Sequence, residues 1–384
     1  MKLRYGHPEE AGMCESRIAR LESLQQRWVD SGVAPIIVSL IARKGIIVSH
    51  KLYVDPEYDK AYGPMKLDTI FQLASISKPV TATAILMLAE EGKVSVALPV
   101  QDYIPEFVGE KKENVLIHHL LTHTSGIDTS NVWKLSNNPE FVSQMNSCPD
   151  NQHPEVHKYV TAGYTAPLSA FPGTEMSYCS YGFVLLTEII RRVTGQSFEQ
   201  FMTERMFRPL GMKDTAFVVP PEQYARVAKH PPNAPFPSFA DYENLTVPWG
   251  SSGLCSTAYD MAVFCQTFLN GGTYEGNRLL SKLSVQKMTM NQVPGVSSRL
   301  GEEFFKEASW GLGWNVSGTK HDYTGTLRSG RTYSHSGRGN TQIMVDPDNE
   351  LIAINFQVTM KRIKDRPYHY FEYFNDAALA CIVD

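Results

Sequence analysis

The 384-residue chain lacks the features of several specialised protein classes. Its net charge is only -4, with 36 Lys and Arg against 40 Asp and Glu, so it has no basic excess of the kind that nucleic-acid binding requires. Six scattered cysteines form no C-x-x-C pair, which argues against a zinc site or a disulfide framework. No apolar run approaches membrane-spanning length. We therefore expect a protein that acts on a small molecule, with no metal, cofactor, nucleic-acid partner or membrane span.

The start of the chain, Met1 to Glu10, has no apolar stretch of the signal-peptide type. The cysteines are then best explained as reduced and mostly buried thiols. From these two features we expect a cytoplasmic protein. The sequence carries no signal for an oligomeric state.

Hydrophobic periodicity predicts a sheet built from both ends of the chain. Apolar residues at helical spacing predict a helix from Glu15 to Asp30, and a second helix is expected from Tyr368 to Ile382. Runs rich in β-branched residues, joined by short turns, predict two antiparallel hairpins. Their strands are residues 35–42 and 45–54, and residues 342–346 and 350–358.

The middle of the chain is predicted to be mainly helical, which indicates an α/β part combined with an all-α part. We expect residues 1–70 and 273–384 to form an antiparallel sheet domain flanked by N- and C-terminal helices. Residues 71–272 are expected to form an inserted helical domain. The active site is expected in the cleft between the two.

Ser75-Ile76-Ser77-Lys78 opens the apolar run Pro79 to Ala89 and is the most informative motif. Residues three apart on a helix lie on one face, so the Lys78 amine can reach the Ser75 hydroxyl. A serine hydroxyl is a weak nucleophile until a neighbouring base removes its proton. Burial of Lys78 against the apolar run would lower its pKa and make it such a base.

The S-x-x-K pattern alone is weak, because it recurs at Ser284 and Lys287 and at Ser317 and Lys320. The alternative for the first copy is a core helix that Ser75 merely caps while Lys78 reaches outward. Context separates this copy from the other two, since Pro79 suits the first turn of a buried helix and Gly92 suits its end. The segment alone does not decide between a site and a core helix.

Two later segments could complete such a site. Tyr178 lies where a loop meets the apolar helix that begins near Phe183, and a tyrosine beside a lysine can carry a proton to a leaving group. The segment Tyr333 to Asn340, which is rich in small residues, precedes a strand that begins at Gln342. A backbone amide there, paired with that of Ser75, would form an oxyanion hole. Taken alone, each segment is better explained by packing.

Together these motifs resemble the serine β-lactamase-like hydrolases, which include class C β-lactamases, penicillin-binding DD-peptidases and carboxylesterases of the same fold. The motifs occur in the expected order along most of the chain. They are Phe71 to Lys78, Ile117 to Gly126, Pro172 to Tyr178, Gly253 to Ala258 and His335 to Gly337.

The resemblance implies roles for particular residues. Ser75, Lys78 and Tyr178 would be nucleophile, base and proton relay in a reaction through a covalent acyl-enzyme. The backbone amides of Ser75 and Arg338 would form the oxyanion hole. Because base assignment is disputed even among well-studied relatives, the division of proton transfer between Lys78 and Tyr178 stays open.

The chain departs from the β-lactamase pattern at two positions. Tyr178-Cys179-Ser180 stands where that pattern has Tyr-x-Asn, so Ser180 offers a shorter hydroxyl to the substrate. His335-Ser336-Gly337 stands where it has Lys-Thr-Gly, which replaces a carboxylate-pairing cation by a mostly neutral imidazole. We expect Ser180, His335, Ser336 and Gly337 to contact substrate.

Aromatic and histidine residues add two expectations. Trp249 could line an acyl pocket, and we favour it over Trp310 and Trp314. His119 and His123 are spaced like metal ligands, but the glutamate of an H-E-x-x-H motif is absent, so we expect these histidines to be structural.

These residues favour a serine hydrolase that cleaves small esters. A D-amino-acid peptidase or DD-peptidase remains an alternative, because Arg328, Arg331 or Arg338 could bind a substrate carboxylate. Weak β-lactamase activity is a further expectation. An alternative of another class is a binding module that keeps the fold without turnover.

Overall fold

The computed structural model describes residues 1–236, 242–300, 303–361 and 369–384. The helices within those ranges are α1 Glu15–Asp30, α2 Pro56–Tyr62, α3 Ser77–Glu90, α4 Ile117–Leu121, α5 Thr129–Ser136, α6 Pro139–Ser143, α7 Pro154–Gly163, α8 Ser180–Thr194, α9 Phe198–Met202, α10 Arg208–Leu210, α11 Ala258–Leu269, α12 Lys282–Met288 and α13 His369–Leu379. The strands are β1 Arg4–Tyr5, β2 Ile36–Arg43, β3 Ile46–Val54, β4 Phe71–Gln72, β5 Met176–Ser177, β6 Cys255–Ser256, β7 Thr273–Tyr274, β8 Asn277–Arg278, β9 Ser298–Leu300, β10 Glu303–Phe305, β11 Asn315–Val316, β12 Tyr333–Gly337, β13 Thr341–Asp346 and β14 Leu351–Val358.

The main sheet joins both ends of the chain in the strand order β1-β3-β2-β14-β13-β12-β11. Its described pairings are antiparallel, as predicted, with one difference: the two-residue β1 pairs parallel to β3. The sheet is therefore mixed. β14 pairs with β2 along its whole length, from Leu351 opposite Arg43 to Val358 opposite Ile36, which joins the N-terminal hairpin to the C-terminal one.

Both faces of this sheet are covered, because every residue of β2 and β14 is buried. A strand that is buried on both faces has a nearly continuous apolar sequence, and β2 (IIVSLIAR) and β14 (LIAINFQV) follow this rule. Helices α1 and α13 pack on one face, where Trp28 and Tyr370 meet edge to face at 5.3 Å. Helix α11 packs on the other face, against β2, β13 and β14.

Helix α3 lies at the centre of the molecule. All its residues from Ser77 to Leu88 are buried, and it packs against α8. A helix that is apolar around its whole circumference gains no stability from a water-facing side, so it forms only when other elements surround it. Its position brings its N-terminus to the end of β12, beside the short turn that contains Ser75.

Several predicted elements are confirmed. Helix α1 has the predicted bounds, and the two hairpins form with ends shifted by one residue at most. The closing helix α13 ends at Leu379, three residues before the predicted end at Ile382, and its predicted first residue, Tyr368, lies outside the described residues. The division into residues 1–70 with 273–384 and residues 71–272 stays a prediction. Among the described residues, no helix combines the length and the apolar character that crossing a bilayer requires.

Candidate active site

Ser75 lies in a tight turn and not in the first turn of the helix as expected. Residues Ala74–Ile76 form a 3-10 turn, and α3 begins only at Ser77. Ala74 adopts a left-handed conformation with φ of 46°, which costs a non-glycine residue roughly 1 kcal/mol. The Ser77 hydroxyl donates to the Ala74 carbonyl at 2.7 Å and accepts from the Leu254 amide at 2.9 Å. These two bonds hold the strained turn in place.

Lys78 lies beside Ser75 and is completely buried. Its Nζ is 3.0 Å from the Ser75 Oγ and donates to the Ser251 carbonyl oxygen at 2.8 Å. Burial, reinforced by the positive charge of Arg338, lowers the pKa of Lys78 to about 7. Near neutral pH a large fraction of Lys78 is therefore an uncharged amine, which can donate to Ser251 and accept the proton of Ser75.

Tyr178 faces the same amine. The Lys78 Nζ is 4.8 Å from the centroid of the Tyr178 ring. That ring stacks on His123, with centroids 4.2 Å apart and planes at 30°, and meets the edge of Trp310 at 6.0 Å. The structure therefore brings Ser75, Lys78 and Tyr178 together from two segments about 100 residues apart in sequence.

His123 is held from two sides. The Cys179 amide donates to its Nδ1 at 3.0 Å, and its own carbonyl accepts from the Ser177 amide at 2.9 Å. Burial, followed by the charge of Lys78, keeps the pKa of His123 well below its usual range, so the ring is neutral. Residues Ser177 and Cys179, which flank Tyr178, are thus both anchored to His123.

The end of β12 passes directly over the Ser75 turn. A Cβ on Gly337 would lie 2.1 Å from the Leu73 carbonyl oxygen, far inside contact distance, so only glycine fits there. The Thr341 hydroxyl donates to the same carbonyl at 3.2 Å. Arg338 follows Gly337 and borders the same cavity as Ser75.

His335 lies on β12 two residues before Gly337 and is only 4% exposed. Its Nδ1 is 3.0 Å from the Ser336 carbonyl oxygen, and its ring lies 5.8 Å from Trp310 and 6.4 Å from Tyr178. Burial, followed by the charge of Lys78, lowers the pKa of His335 to about 3. The ring is therefore uncharged at neutral pH.

These groups border a cavity of about 610 Å³. Of the residues predicted to form the site, those that line it are Ser75, Tyr178, Ser180, Trp249, His335, Ser336 and Arg338. Lys78 is buried behind Ser75 and Tyr178. Gly337 is not among the residues that line the cavity, and it packs against the Leu73 carbonyl. Trp310 lines the cavity and Trp314 does not, since Trp314 is fully buried in the core.

A buried charge cluster contributes two residues, Lys320 and Asp322, to the lining of the cavity. Asp322 pairs with Arg328 at 3.1 Å and with Lys320 at 3.7 Å. Burial alone would raise the pKa of Asp322, but the two cations together lower it. The Lys320 ammonium also donates to the Ala308 carbonyl at 2.8 Å and to the Asn315 side chain at 2.6 Å. Lys320 therefore helps to hold the segment that carries Trp310 in place.

The sequence model of the Beta-lactamase family matches residues 46–376. The chain belongs to the Beta-lactamase family. As a member of that family it is a serine hydrolase of the β-lactamase fold, and the predicted resemblance is confirmed.

Individual relatives agree with this assignment to the Beta-lactamase family. A protein of Escherichia coli strain K12 named "Putative D-alanyl-D-alanine carboxypeptidase" is 29% identical over 383 residues, or 90% of this chain and 83% of its own length. A penicillin-binding protein homologue from Caulobacter crescentus has a TM-score of 0.75 at 22% identity, covering 96% of this chain and 99% of its own. A family VIII carboxylesterase has a TM-score of 0.74 at 20% identity, with the same coverage. The two solved structures show the shared fold.

The three arginines proposed as anion contacts have different positions in this Beta-lactamase family member. Arg328 is buried in the charge cluster, where it also donates to Ser317 at 2.6 Å. Arg331 is exposed and pairs with Asp348 at 2.8 Å. Arg338 borders the cavity, with its guanidinium 5.9 Å from the centroid of the Phe236 ring. Of the three, only Arg338 lines the cavity.

Two residues that shape the site, Ser77 and Ser251, are not predicted from the sequence, and the contact made by a third, His123, is not predicted. Ser77 was treated only as the variable position of S-x-x-K, although a small hydroxyl there was a usable signal. The Ser251 carbonyl is a backbone group, so its partnership with Lys78 has no side-chain signature. His123 was expected to be structural, and its stacking on Tyr178 joins residues 55 positions apart.

Proposed function

We propose that this Beta-lactamase family hydrolase is a carboxylesterase that cleaves small, uncharged esters through an acyl-enzyme on Ser75. The observation that carries the proposal is the buried Lys78 Nζ, 3.0 Å from the Ser75 Oγ, with its pKa lowered to about 7. A group that titrates near the working pH is well suited to take up and return a proton in one catalytic cycle.

In the acylation step the neutral amine of Lys78 removes the Ser75 proton while Oγ bonds to the ester carbonyl carbon. The former carbonyl oxygen becomes an oxyanion, held by the backbone amides of Ser75 and Arg338. The bond to the alcohol then breaks, and the proton taken from Ser75 passes to the departing oxygen, either directly from Lys78 or through Tyr178. Water attacks the acyl group by the same route, which releases the acid and restores Ser75.

The neutral state of His335 supports esters over anionic substrates. With its pKa lowered to about 3, the ring offers no positive charge to a carboxylate at neutral pH. The aromatic side chains of Tyr178, Trp249 and Trp310 line the same cavity and give an acyl group apolar surface to contact. Residual β-lactamase activity is accordingly expected to be weak.

A second candidate is a D-amino-acid peptidase. The exposed Arg338 at the cavity edge could pair with the terminal carboxylate of a peptide, and the E. coli relative is named for that reaction. Release of D-alanine from an acyl-D-alanyl-D-alanine peptide, compared with hydrolysis of p-nitrophenyl butanoate, ranks the two. The ester is expected to have the higher kcat/KM, and the reverse order would favour the peptidase.

The test of the proposal is turnover of p-nitrophenyl esters by the wild type, Ser75→Ala and Ser284→Ala. Ser284 belongs to another S-x-x-K copy, on α12, where its hydroxyl contacts Glu90 away from the cavity. Ser75→Ala should lose about a thousandfold or more in kcat, and Ser284→Ala should match the wild type. A fluorophosphonate should label Ser75. Turnover that survives Ser75→Ala would overturn the proposal, and an unlabelled, inactive protein would favour a binding module.

The proposal includes a cytoplasmic location. All six cysteines, including the partly buried Cys14 and Cys148, are free thiols, as is usual in a reducing compartment. Fractionation of cells that express the chain should place it with cytoplasmic markers. Recovery with the exported fraction would contradict this part of the proposal.

A further inference from the structure

Cys14 and Cys381 lie opposite each other, one directly before α1 and the other two residues after α13. The Cys14 amide donates to the Cys381 carbonyl oxygen at 2.7 Å. Their neighbours Met13 and Ile382 form an antiparallel bridge. Residues opposite each other in an antiparallel pairing have α-carbons about 5.5 Å apart, with both side chains on the same side. This separation lies within the range of about 4.4–6.8 Å that a disulfide spans.

The two sulfurs are reduced and have separate partners in the structure. The Cys14 Sγ lies 3.2 Å from the Ser16 Oγ, and the Cys381 Sγ donates to the Ala377 carbonyl oxygen at 3.1 Å. Burial, followed by the negative charge of the Cys14 thiolate, raises the pKa of Cys381 to about 11. The two thiols are thus close enough to interact. A disulfide between them requires each side chain to rotate about its χ1 bond.

The surroundings of the two thiols set the order in which they react. Cys14 is partly exposed, and its hydrogen bond with the Ser16 hydroxyl, followed by that with the Arg17 amide, lowers the pKa of Cys14. A larger share of Cys14 is therefore thiolate at neutral pH, and the thiolate is the form that a peroxide oxidises. Cys381 is buried and stays a thiol. An oxidant from solution therefore meets Cys14 first.

We propose that Cys14 and Cys381 are a peroxide-sensitive pair, whose reversible disulfide links α1 to α13. The Cys14 thiolate attacks one oxygen of a peroxide, of which hydrogen peroxide is the simplest. The O–O bond breaks, the departing hydroxide takes a proton from solvent to become water, and Cys14 is left as a sulfenic acid.

The second step closes the disulfide. The Cys381 sulfur attacks the Cys14 sulfur, an S–S bond forms, and the S–O bond breaks as hydroxide leaves with the Cys381 proton as water. The two sulfurs lose two electrons in total, and the peroxide gains them. A dithiol such as dithiothreitol reverses the reaction by thiol–disulfide exchange.

The disulfide acts on the stability of the fold. Helices α1 and α13 cover the same face of the main sheet and contact each other through Trp28 and Tyr370. A cross-link between segments so far apart in sequence restricts the unfolded chain strongly and so favours the folded one. Neither cysteine lines the cavity that contains Ser75. Oxidation should therefore raise the melting temperature and leave ester hydrolysis unchanged.

Peptide mapping by mass spectrometry tests the pair. Reduced wild-type protein is treated with hydrogen peroxide, its remaining thiols are blocked, and it is digested. We expect one disulfide-linked peptide pair that contains Cys14 and Cys381 and that dithiothreitol separates. Cys381→Ala should stop at a sulfenic acid on Cys14, which dimedone traps, and Cys14→Ser should leave Cys381 a thiol. Wild-type protein in which the two cysteines stay unlinked, or link to other cysteines, would overturn the proposal.

Cys148 is the matched control thiol. It is partly exposed like Cys14, but its Sγ donates to the Gln152 carbonyl oxygen at 3.2 Å, and burial raises the pKa of Cys148. Cys14 should react with hydrogen peroxide about tenfold faster than Cys148. Cys148→Ser should form the disulfide at the wild-type rate. Equal reaction rates at Cys14 and Cys148 would contradict the proposed order of oxidation.

Melting and turnover measurements separate this proposal from the esterase. Oxidised wild type should melt roughly 5 °C above the reduced protein, and Cys14→Ser treated in the same way should not change. A disulfide that leaves the melting temperature unchanged would overturn the proposed link. Hydrolysis of p-nitrophenyl butanoate should be equal before and after oxidation. A missing disulfide leaves the esterase standing, and a protein that hydrolyses no ester can still form the disulfide. If Cys381→Ala fails to fold, the wild-type peptide map still decides.

Discussion

The ring of His123 stacks on the ring of Tyr178 at 4.2 Å, and the amide of Cys179 donates to the imidazole at 3.0 Å. The histidine therefore fixes both the ring plane and the backbone of the segment that presents the tyrosine to Lys78. Its own backbone is left-handed, with φ of 58°, a conformation in which His and Asn are among the more frequent residues.

Replacing His123 by asparagine should preserve the backbone and remove the ring. We expect kcat for p-nitrophenyl butanoate to fall about tenfold with little change in KM, because Tyr178 loses its alignment. The free energy of unfolding should fall by about 1 kcal/mol or more, from loss of the aromatic contact. The control is His153→Asn, since asparagine can take over the cap that His153 provides for α7. A full-rate His123→Asn enzyme would show that Tyr178 needs no such support.

The contact between Gly337 and Leu73 leads to a second prediction. In Gly337→Ala the new methyl group would meet the Leu73 carbonyl at 2.1 Å, so β12 must move away from the turn that carries Ser75. A displacement of the oxyanion site by about 1 Å can cost about a hundredfold in kcat. We expect a loss of that size in steady-state turnover.

Gly330→Ala is the matched control for this substitution. The nearest atom to a Cβ there, the Gly318 carbonyl oxygen, is 3.5 Å away, which is an ordinary contact. This variant should keep the wild-type kcat. Equal activity of the two alanine variants would mean that the approach of β12 to Leu73 does not set the geometry of the site.

The sequence could predict those parts of the fold that follow from local patterns. Helix α1 was predictable from apolar residues at helical spacing, and the hairpin of β13 and β14 from its turn at residues 347–349. β12 was expected only as a small-residue segment that leads into the strand at Gln342, because His, Ser and Gly have little preference for strands. It forms because β11 and β13 pair with it on both sides.

For the site, the sequence could predict the chemistry of the residues but not all their surroundings. Ser75, Lys78 and Tyr178 were identifiable because several motifs, each weak alone, occur in the order expected for the family. The bonds from Lys78 to the Ser251 carbonyl and from Lys320 to the Ala308 carbonyl each join a side chain to the backbone of another segment. No local pattern encodes such contacts, because they arise only when whole elements pack together.

The buried amine of Lys78 should make stability depend on pH. Its pKa is about 7 in the folded chain and about 10.4 in an unfolded one, so between these values the unfolded chain binds more protons. Its contribution to the free energy of unfolding therefore rises with pH through that window, by up to about 1.4 kcal/mol per pH unit. Below pH 7 the penalty for burying Lys78 is at its largest and constant.

Urea unfolding of wild type and Lys78→Met from pH 7 to pH 9 measures this effect. The variant should be the more stable protein at pH 7, and its advantage should shrink as the pH rises. Lys60→Met is the control, because the Lys60 side chain is 80% exposed and should leave the pH profile unchanged. A stability difference that stays constant over this range would mean that Lys78 is not buried as an amine.

The pH dependence of Ser75 labelling tests the central claim most directly. If uncharged Lys78 activates Ser75, the rate constant for fluorophosphonate labelling should rise as the pH increases and level off above a midpoint near 7. Lys78→Met should label at least about a hundredfold more slowly, without that midpoint. A wild-type rate that does not change between pH 5 and pH 9, or that Lys78→Met reproduces, would contradict the account.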